Sequence, residues 1–148
     1  MMRGANLMFI DASAVVAVIK GEPEAQALLK AMGLREGKLI ASPIVRMEAT
    51  LALARTRKEQ RGETHMTTED FDVAGQLVTE FFHSAKIREV HITESTGKAA
   101  CDALARYGKV VGHPAKLNLG DALSYACAKA HHQPLLYKGD DFKHTDLA

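Results

Sequence analysis

Short strand-like runs recur along this chain, separated by long helix-compatible stretches, and that alternation limits the fold more than any other feature of the sequence. The runs are Leu7–Ile10, Lys38–Ala41, Arg88–Ile92 and Pro134–Tyr137. Parallel neighbours in a sheet need crossover connections, and these are usually helical. The expected class is therefore α/β, with a mainly parallel sheet of about four or five strands flanked by helices on both faces. In such sheets ligands gather outside the carboxyl ends of the strands. Asp11 and the Asp140-Asp141 pair occupy such positions.

Between the strands, Ser13–Lys20 suits a helix stopped by Gly21. Pro23–Met32 carries an apolar stripe of Ala25, Leu28, Leu29 and Met32, with the proline placed in the first turn. Ser42-Pro43 opens a helix running to about Lys58. Polar residues from Arg57 to Thr67 form a loop, and Thr68–Ala85 follows as a helix with Phe71, Ala74, Leu77, Val78 and Phe81 on one face. Thr93 caps a helix to about Tyr107. Gly108, Gly112 and Pro114 then mark an irregular stretch before a last helix from about Asp121 to His131. No repeat or linker divides the chain, so residues 1–148 read as one domain.

Composition narrows the function little. An apolar content of 47% with 25% charged residues is ordinary for a globular protein. A formal net charge of +1 gives no global field for polyanions, so contact with nucleic acid must come from a local basic surface. No apolar segment reaches membrane-spanning length, and the apolar run near the N-terminus is too short for a signal peptide. The expected location is the cytoplasm, with no membrane partner. Cys101 and Cys127 fall on helices without a CxxC spacing and read as buried free thiols. The seven histidines are scattered; His131-His132 at a helix end suits the dipole, and no zinc site is suggested.

Chemistry is legible in the acids. Ile44, Glu48 and Leu51 share a helical face, so Glu48 interrupts an apolar stripe; burial would force it to neutralise, find a cation such as Arg46 or Arg55, or point into a wet cleft. Asp11, alone, reads as a helix cap, as does Asp121 in its Asn118-Leu119-Gly120-Asp121 setting. Jointly they make a pattern: an acid after the first strand, one inside the third helix, one opening a late helix and a pair after the last strand. Hard cations such as Mg²⁺ or Mn²⁺ prefer carboxylate oxygens and water, and phosphodiester hydrolysis needs positive charge where the attacking and leaving oxygens become negative. Nothing resembles a nucleophile elbow, a P-loop or a dinucleotide fingerprint.

The segments FIDASAVVAVIKGEPEA, SPIVRMEATLAL and LNLGDALSYACAKAHHQPLLYKGDDFKHTDL resemble the VapC toxins of the PIN-domain family, and the resemblance spans nearly the whole chain. It implies a PIN-like fold and a metal-dependent endoribonuclease. Asp11, Glu48 and Asp121 would hold Mg²⁺, with Mn²⁺ as an alternative, and Asp141 would be the fourth acid. Many members carry an Asp at the end of this strand where this chain has Gly139, so Asp140 stands as the alternative to Asp141. Ser13 matches a hydroxyl that orients a carboxylate or water, while Ala12 replaces a frequent Thr or Ser. Asn118 caps the last helix or orients Asp121. The resemblance further implies an RNA substrate, a cognate VapB-like antitoxin and a homodimer formed through helices of the first half. Arg46, Lys116, Lys138 and Lys143 are candidates for holding the phosphate backbone.

Two other classes fit parts of the pattern. A phosphoacceptor signalling domain also gathers acids and Mg²⁺ at strand ends, but it wants paired acids after the first strand, whereas Glu48 and Asp121 sit on predicted helices. A PIN-like module without catalysis would bind only a partner or RNA; retention of the acids argues against it.

Overall fold

The computed structural model describes residues 7–131, 133–140 and 142–147. Its four-stranded sheet has the order β3-β2-β1-β4. The strands are β1 (Met8–Ile10), β2 (Leu39–Ala41), β3 (Arg88–Glu89) and β4 (Leu135–Leu136). Every pairing is parallel, with Phe9 opposite both Ile40 and Leu135. Strand β3 is shorter than the expected Arg88–Ile92; it is an edge strand with both residues exposed, and the amide of Val90 makes one further bond to Ala41 before the chain leaves the sheet.

The helices are α1 (Ala12–Lys20), α2 (Ala25–Gly33), α3 (Pro43–Gln60), α4 (Thr68–Ser84), α5 (Glu94–Tyr107) and α6 (Leu119–Ala130), with a 3₁₀ turn at Lys109–Val111. Helix α1 packs against α2 and α3, α3 against α4, and α5 against α6, while α6 also meets β1 and β4. Strand β1 is central in the core: Phe9 and Ile10 are fully buried, as are Val15 on α1 and Val45 on α3. This mainly parallel α/β architecture is the one expected from the alternation of strands and helices.

Two helical faces differ from their predicted stripes. Helix α4 buries Asp70, Ala74, Val78 and Phe82, leaving Phe71 and Leu77 about two-fifths exposed. Its inward face is rotated by one residue because a charged group leads it. The Asp70 carboxylate accepts from the Thr67 amide (2.9 Å), from Arg61 and from Arg57 Nε (3.2 Å), completing a capping box and tying the start of α4 to the second half of α3. These bonds, those from Arg61 foremost, hold the Asp70 carboxyl well below the usual carboxylate range. On α5 the buried positions are Thr96, Ala100 and Ala103, which turns Cys101 to solvent and corrects the expectation that both thiols are buried; Cys127 is inside, where burial pushes its thiol up to about 11.

The Asp70 clip sets a stability test. Thr67→Ala removes one cap bond and is expected to cost about 1 kcal/mol, a fall of roughly 2–4 °C in Tm. Asp70→Ala is expected to cost more, because Arg57 and Arg61 also lose their acceptor. Thermal unfolding followed by circular dichroism checks this; equal shifts for the two variants would contradict the clip.

Candidate active site

Two strand ends, two helix starts and the middle of α3 converge at the carboxyl end of the sheet. The chain leaves β1 directly into Asp11, whose amide donates to Leu136 O of β4 (2.9 Å), so the first acid is registered by the sheet itself. Asp11 keeps extended backbone and caps α1, its Oδ2 accepting from the Ser13 amide at 3.0 Å. The residue is almost fully buried, yet among the described residues its Oδ1 has no hydrogen-bond partner. A buried carboxylate oxygen without a donor is costly unless a cation or water answers it.

Asp121 arrives from the other side. It occupies the first turn of α6 in a reciprocal capping box: its amide donates to Asn118 Oδ1 (2.9 Å), and its Oδ2 accepts from the Asn118 amide (3.1 Å). Asn118 thus both caps the helix and fixes the Asp121 side chain, merging the two roles that the sequence left as alternatives. Sequence reasoning and structure agree that both aspartates serve helix starts, Asp11 as the cap of α1 and Asp121 as the acid of the capping box on α6, and the structure adds that both also line the same cleft.

Glu48 comes from the middle of α3. The core side of this helix is Val45, Ala49, Leu53 and Ala54, while Ile44, Glu48 and Leu51 are half-buried beside it. Of the routes open to a partly buried glutamate, the structure takes the cleft: no ion pair joins Glu48 to a described residue, and Arg46 is engaged elsewhere. Burial first, and then the Asp11 carboxylate, push the Glu48 carboxyl up to about 7. The carboxylate lies where a side chain on Gly120 would go, since a Cβ built there would overlap both of its oxygens. Gly120 therefore lets α6 approach α3 closely enough for Glu48 and Asp121 to share a cavity. The sequence signal for this was the Gly-Asp pair itself, but its physical reason needed the tertiary contact.

The cleft has a volume of about 540 Å³ and is lined by Asp11, Ser13, Glu48, Asn118 and Asp121 together with the basic residues discussed below. The Ser13 Oγ accepts from the Lys138 amide at 2.9 Å, joining the start of α1 to the chain just after β4, and among the described residues it makes no bond to a carboxylate. Asp140 is exposed and interacts only loosely with Lys143; Asp141 lies outside the described residues, as does His132. Among the described residues no three His, Cys, Asp or Glu side chains are drawn together tightly enough to hold a metal ion on their own. An all-oxygen set with one orphaned buried oxygen suits a cation that retains several waters and takes only one or two carboxylates directly.

The phosphate-holding candidates redistribute. Arg46 donates to Glu89 and to Thr79 Oγ1 (2.7 Å) and stacks over Phe82, outside the cleft. Lys138 lines the cleft, but its ammonium is paired with Glu22 (2.8 Å) and Glu24 (3.5 Å). Lys116 and Lys143 do not line it. In their place stand Lys20 and Arg55, which sequence reasoning did not select as phosphate contacts because each looks like an ordinary solvated charge on its own helix.

A model of the PIN domain matches residues 8–147. Over 141 residues the chain is 44% identical to a VapC ribonuclease of Rhizobium meliloti, covering 95% of this chain and 99% of that protein. It is 36% identical over 140 residues to ribonuclease VapC42 of Mycobacterium tuberculosis, covering 95% and 96%. Among solved structures, the fold is similar to that of Mycobacterium tuberculosis VapC20, described as a sarcin-ricin loop cleaving toxin, with a TM-score of 0.70 at 17% identity and coverage of 95% and 96%. It is also similar to a chain of a toxin-antitoxin complex from Klebsiella pneumoniae, with a TM-score of 0.61 at 20% identity and coverage of 94% and 92%. An acidic cleft at the carboxyl end of a parallel sheet, reached by a chain that matches this model almost from end to end, places the protein in the PIN-domain family, alongside its VapC ribonucleases.

Proposed function

We propose that the protein is a divalent-metal-dependent endoribonuclease, the toxin of a toxin-antitoxin pair, which hydrolyses RNA phosphodiesters at the cleft of Asp11, Glu48 and Asp121. The observation that carries this reading is the buried, unpartnered Oδ1 of Asp11 in a cleft shared with Glu48 and Asp121. Asp141 is proposed as the fourth acid on the resemblance alone, with Asp140 as its alternative. Mg²⁺ is the proposed cofactor and Mn²⁺ a substitute; bound there, the ion would supply positive charge opposite the phosphate and make water a better nucleophile.

The chain's own groups have distinct tasks. Asp11 and Asp121 are preorganised, because each spends one oxygen on a helix start and cannot swing away. Glu48, poised near neutrality, can hold or release a proton at its carboxyl. Asn118 and Ser13 are positioning residues, the first through the Asp121 cap and the second through the Lys138 amide. The antitoxin is proposed to cover this cleft. Pairing of two copies through the first half of the chain is supported by exposed Met47 on α3 and Phe71 and Leu77 on α4. Among the described residues no helix is long and apolar enough to cross a membrane, and action in the cytoplasm, as one domain, completes the proposal.

Purified protein is expected to cut a mixed structured-RNA pool with Mg²⁺ or Mn²⁺ and to stop with chelator. Asp11→Asn and Asp121→Asn, which keep a capping oxygen, should lose about 100-fold or more of that activity while melting like the parent; full activity in either would sink the site. Gly120→Ala separates site from fold. The displaced group is the flexible end of Glu48, and alanine adds up to about 1 kcal/mol of helix propensity, so stability should hold while cleavage falls by roughly 100-fold.

The Glu48 carboxyl gives a pH test. Its folded pKa is raised above its unfolded value, so its contribution to stability is full below about 4.5 and is lost as pH rises through about 7. Metal-free protein should melt lower at pH 8 than at pH 5. Mg²⁺, which needs the ionised carboxylate, should bind more tightly and raise the Tm more at pH 8. Calorimetric titration at the two pH values checks the direction; equal Mg²⁺ affinity would remove Glu48 from the metal pocket.

A further inference from the structure

We infer that Lys20 and Arg55 form a phosphate-backbone subsite in the far half of the cleft, gripping a single-stranded RNA one or more nucleotides away from the acids. The inference rests on the nuclease reading above and extends it to how the strand lies. Both residues line the same cavity as Asp11, Glu48 and Asp121. Lys20 is seven residues after Ser13 on α1, and Arg55 seven after Glu48 on α3, so each stands two helical turns, about 10 Å, along its own helix from a residue at the acidic end of the cleft. Between them and the acids the lining is Val16, Leu51 and Ala52, an apolar floor on which a ribose or base can rest.

Charge accounting within the cavity singles out these two cations. Lys138 is neutralised by Glu22 and Glu24. Lys20 and Arg55 are exposed, and neither forms an ion pair or hydrogen bond with a described residue, although carboxylates line the same space. Lys20 in the last turn of α1 also suits the helix dipole, but the dipole does not account for Arg55, which lies inside an 18-residue helix. A ligand suited to the whole cavity carries one anion at the acidic end, where a bound divalent cation would offset the charge of the carboxylates, and further anions about 10 Å away. A phosphodiester chain has that distribution, and phosphate contacts of this kind fix register without reading sequence.

The probe is a fluorescein-labelled short single-stranded RNA of mixed sequence. Its binding in Mg²⁺ is followed by anisotropy from roughly 50 to 200 mM salt, using Asp11→Asn as a background that does not consume it. Adding Lys20→Ala and Arg55→Ala should weaken binding by about tenfold each and flatten the salt slope by about 1.4 for the pair. Lys20→Arg with Arg55→Lys should restore the slope, and Lys98→Ala on α5 should leave it unchanged. In the active protein the alanine variants should raise KM with kcat preserved. An unchanged slope in the double alanine variant, an equal loss from Lys98→Ala, or a fall in kcat at constant KM would overturn the subsite. Failure of the parent protein to cut RNA would instead overturn the nuclease reading, because the binding arm does not depend on cleavage.

Discussion

Two aspartates, each at a helix start and each lining the cleft, hold this end of the molecule together. Asp11 spends Oδ2 on the first turn of α1 and leaves Oδ1 buried without a donor. Asp121 is locked into the first turn of α6 by a reciprocal box with Asn118. Helix starts carry unsatisfied amides and partial positive charge, so they both need and stabilise an acid. The same electrostatics that begins the helices therefore delivers carboxylates to one edge of the sheet with few rotameric choices left. Helix capping and the orientation of carboxylates in the cleft are, in this fold, one arrangement.

Glu48 shows the opposing tendency. It has no cap to satisfy and no cation within ion-pair reach among the described residues, and it is half-buried beside another carboxylate, which is why its carboxyl titrates near neutrality. Such a group weakens the metal-free fold at high pH, and positive charge entering the cleft relieves it. The close approach that creates this tension depends on Gly120, where any side chain would displace the Glu48 carboxylate. Stability elsewhere comes from conventional means: the apolar layers around β1 and the Asp70 clip between α3 and α4.

How far the sequence could be read depended on the range of the interactions involved. Strand and helix order, the Thr93 cap and the first-turn placement of Asp121 all rest on contacts a few residues apart, and they are legible from periodicity and cap chemistry. The rotation of the α4 face was not, because Asp70 looks like a solvent residue until Arg57 in the last turn of α3 and Arg61 just after it are seen to enclose it. Cys101 was misplaced for a related reason: a helical thiol gives no sign of which face its neighbours bury. Arg46 stood as a cation for Glu48 or for a phosphate backbone, yet Glu89, 43 residues away, engages it.

By itself, the sequence determined the α/β class, the order of elements and the place of Asp11, Glu48 and Asp121 on those elements, since these follow from local periodicity, capping and residue chemistry. Only the tertiary structure decided that Asp11, Glu48 and Asp121 share one cavity, that the Ser13 hydroxyl accepts from the Lys138 amide, and that Lys20 and Arg55 face the cleft while Arg46 does not. The physical reason is that capping and periodicity are properties of a few consecutive residues. Convergence is set by sheet register and helix packing, which bring together side chains that the chain itself keeps far apart.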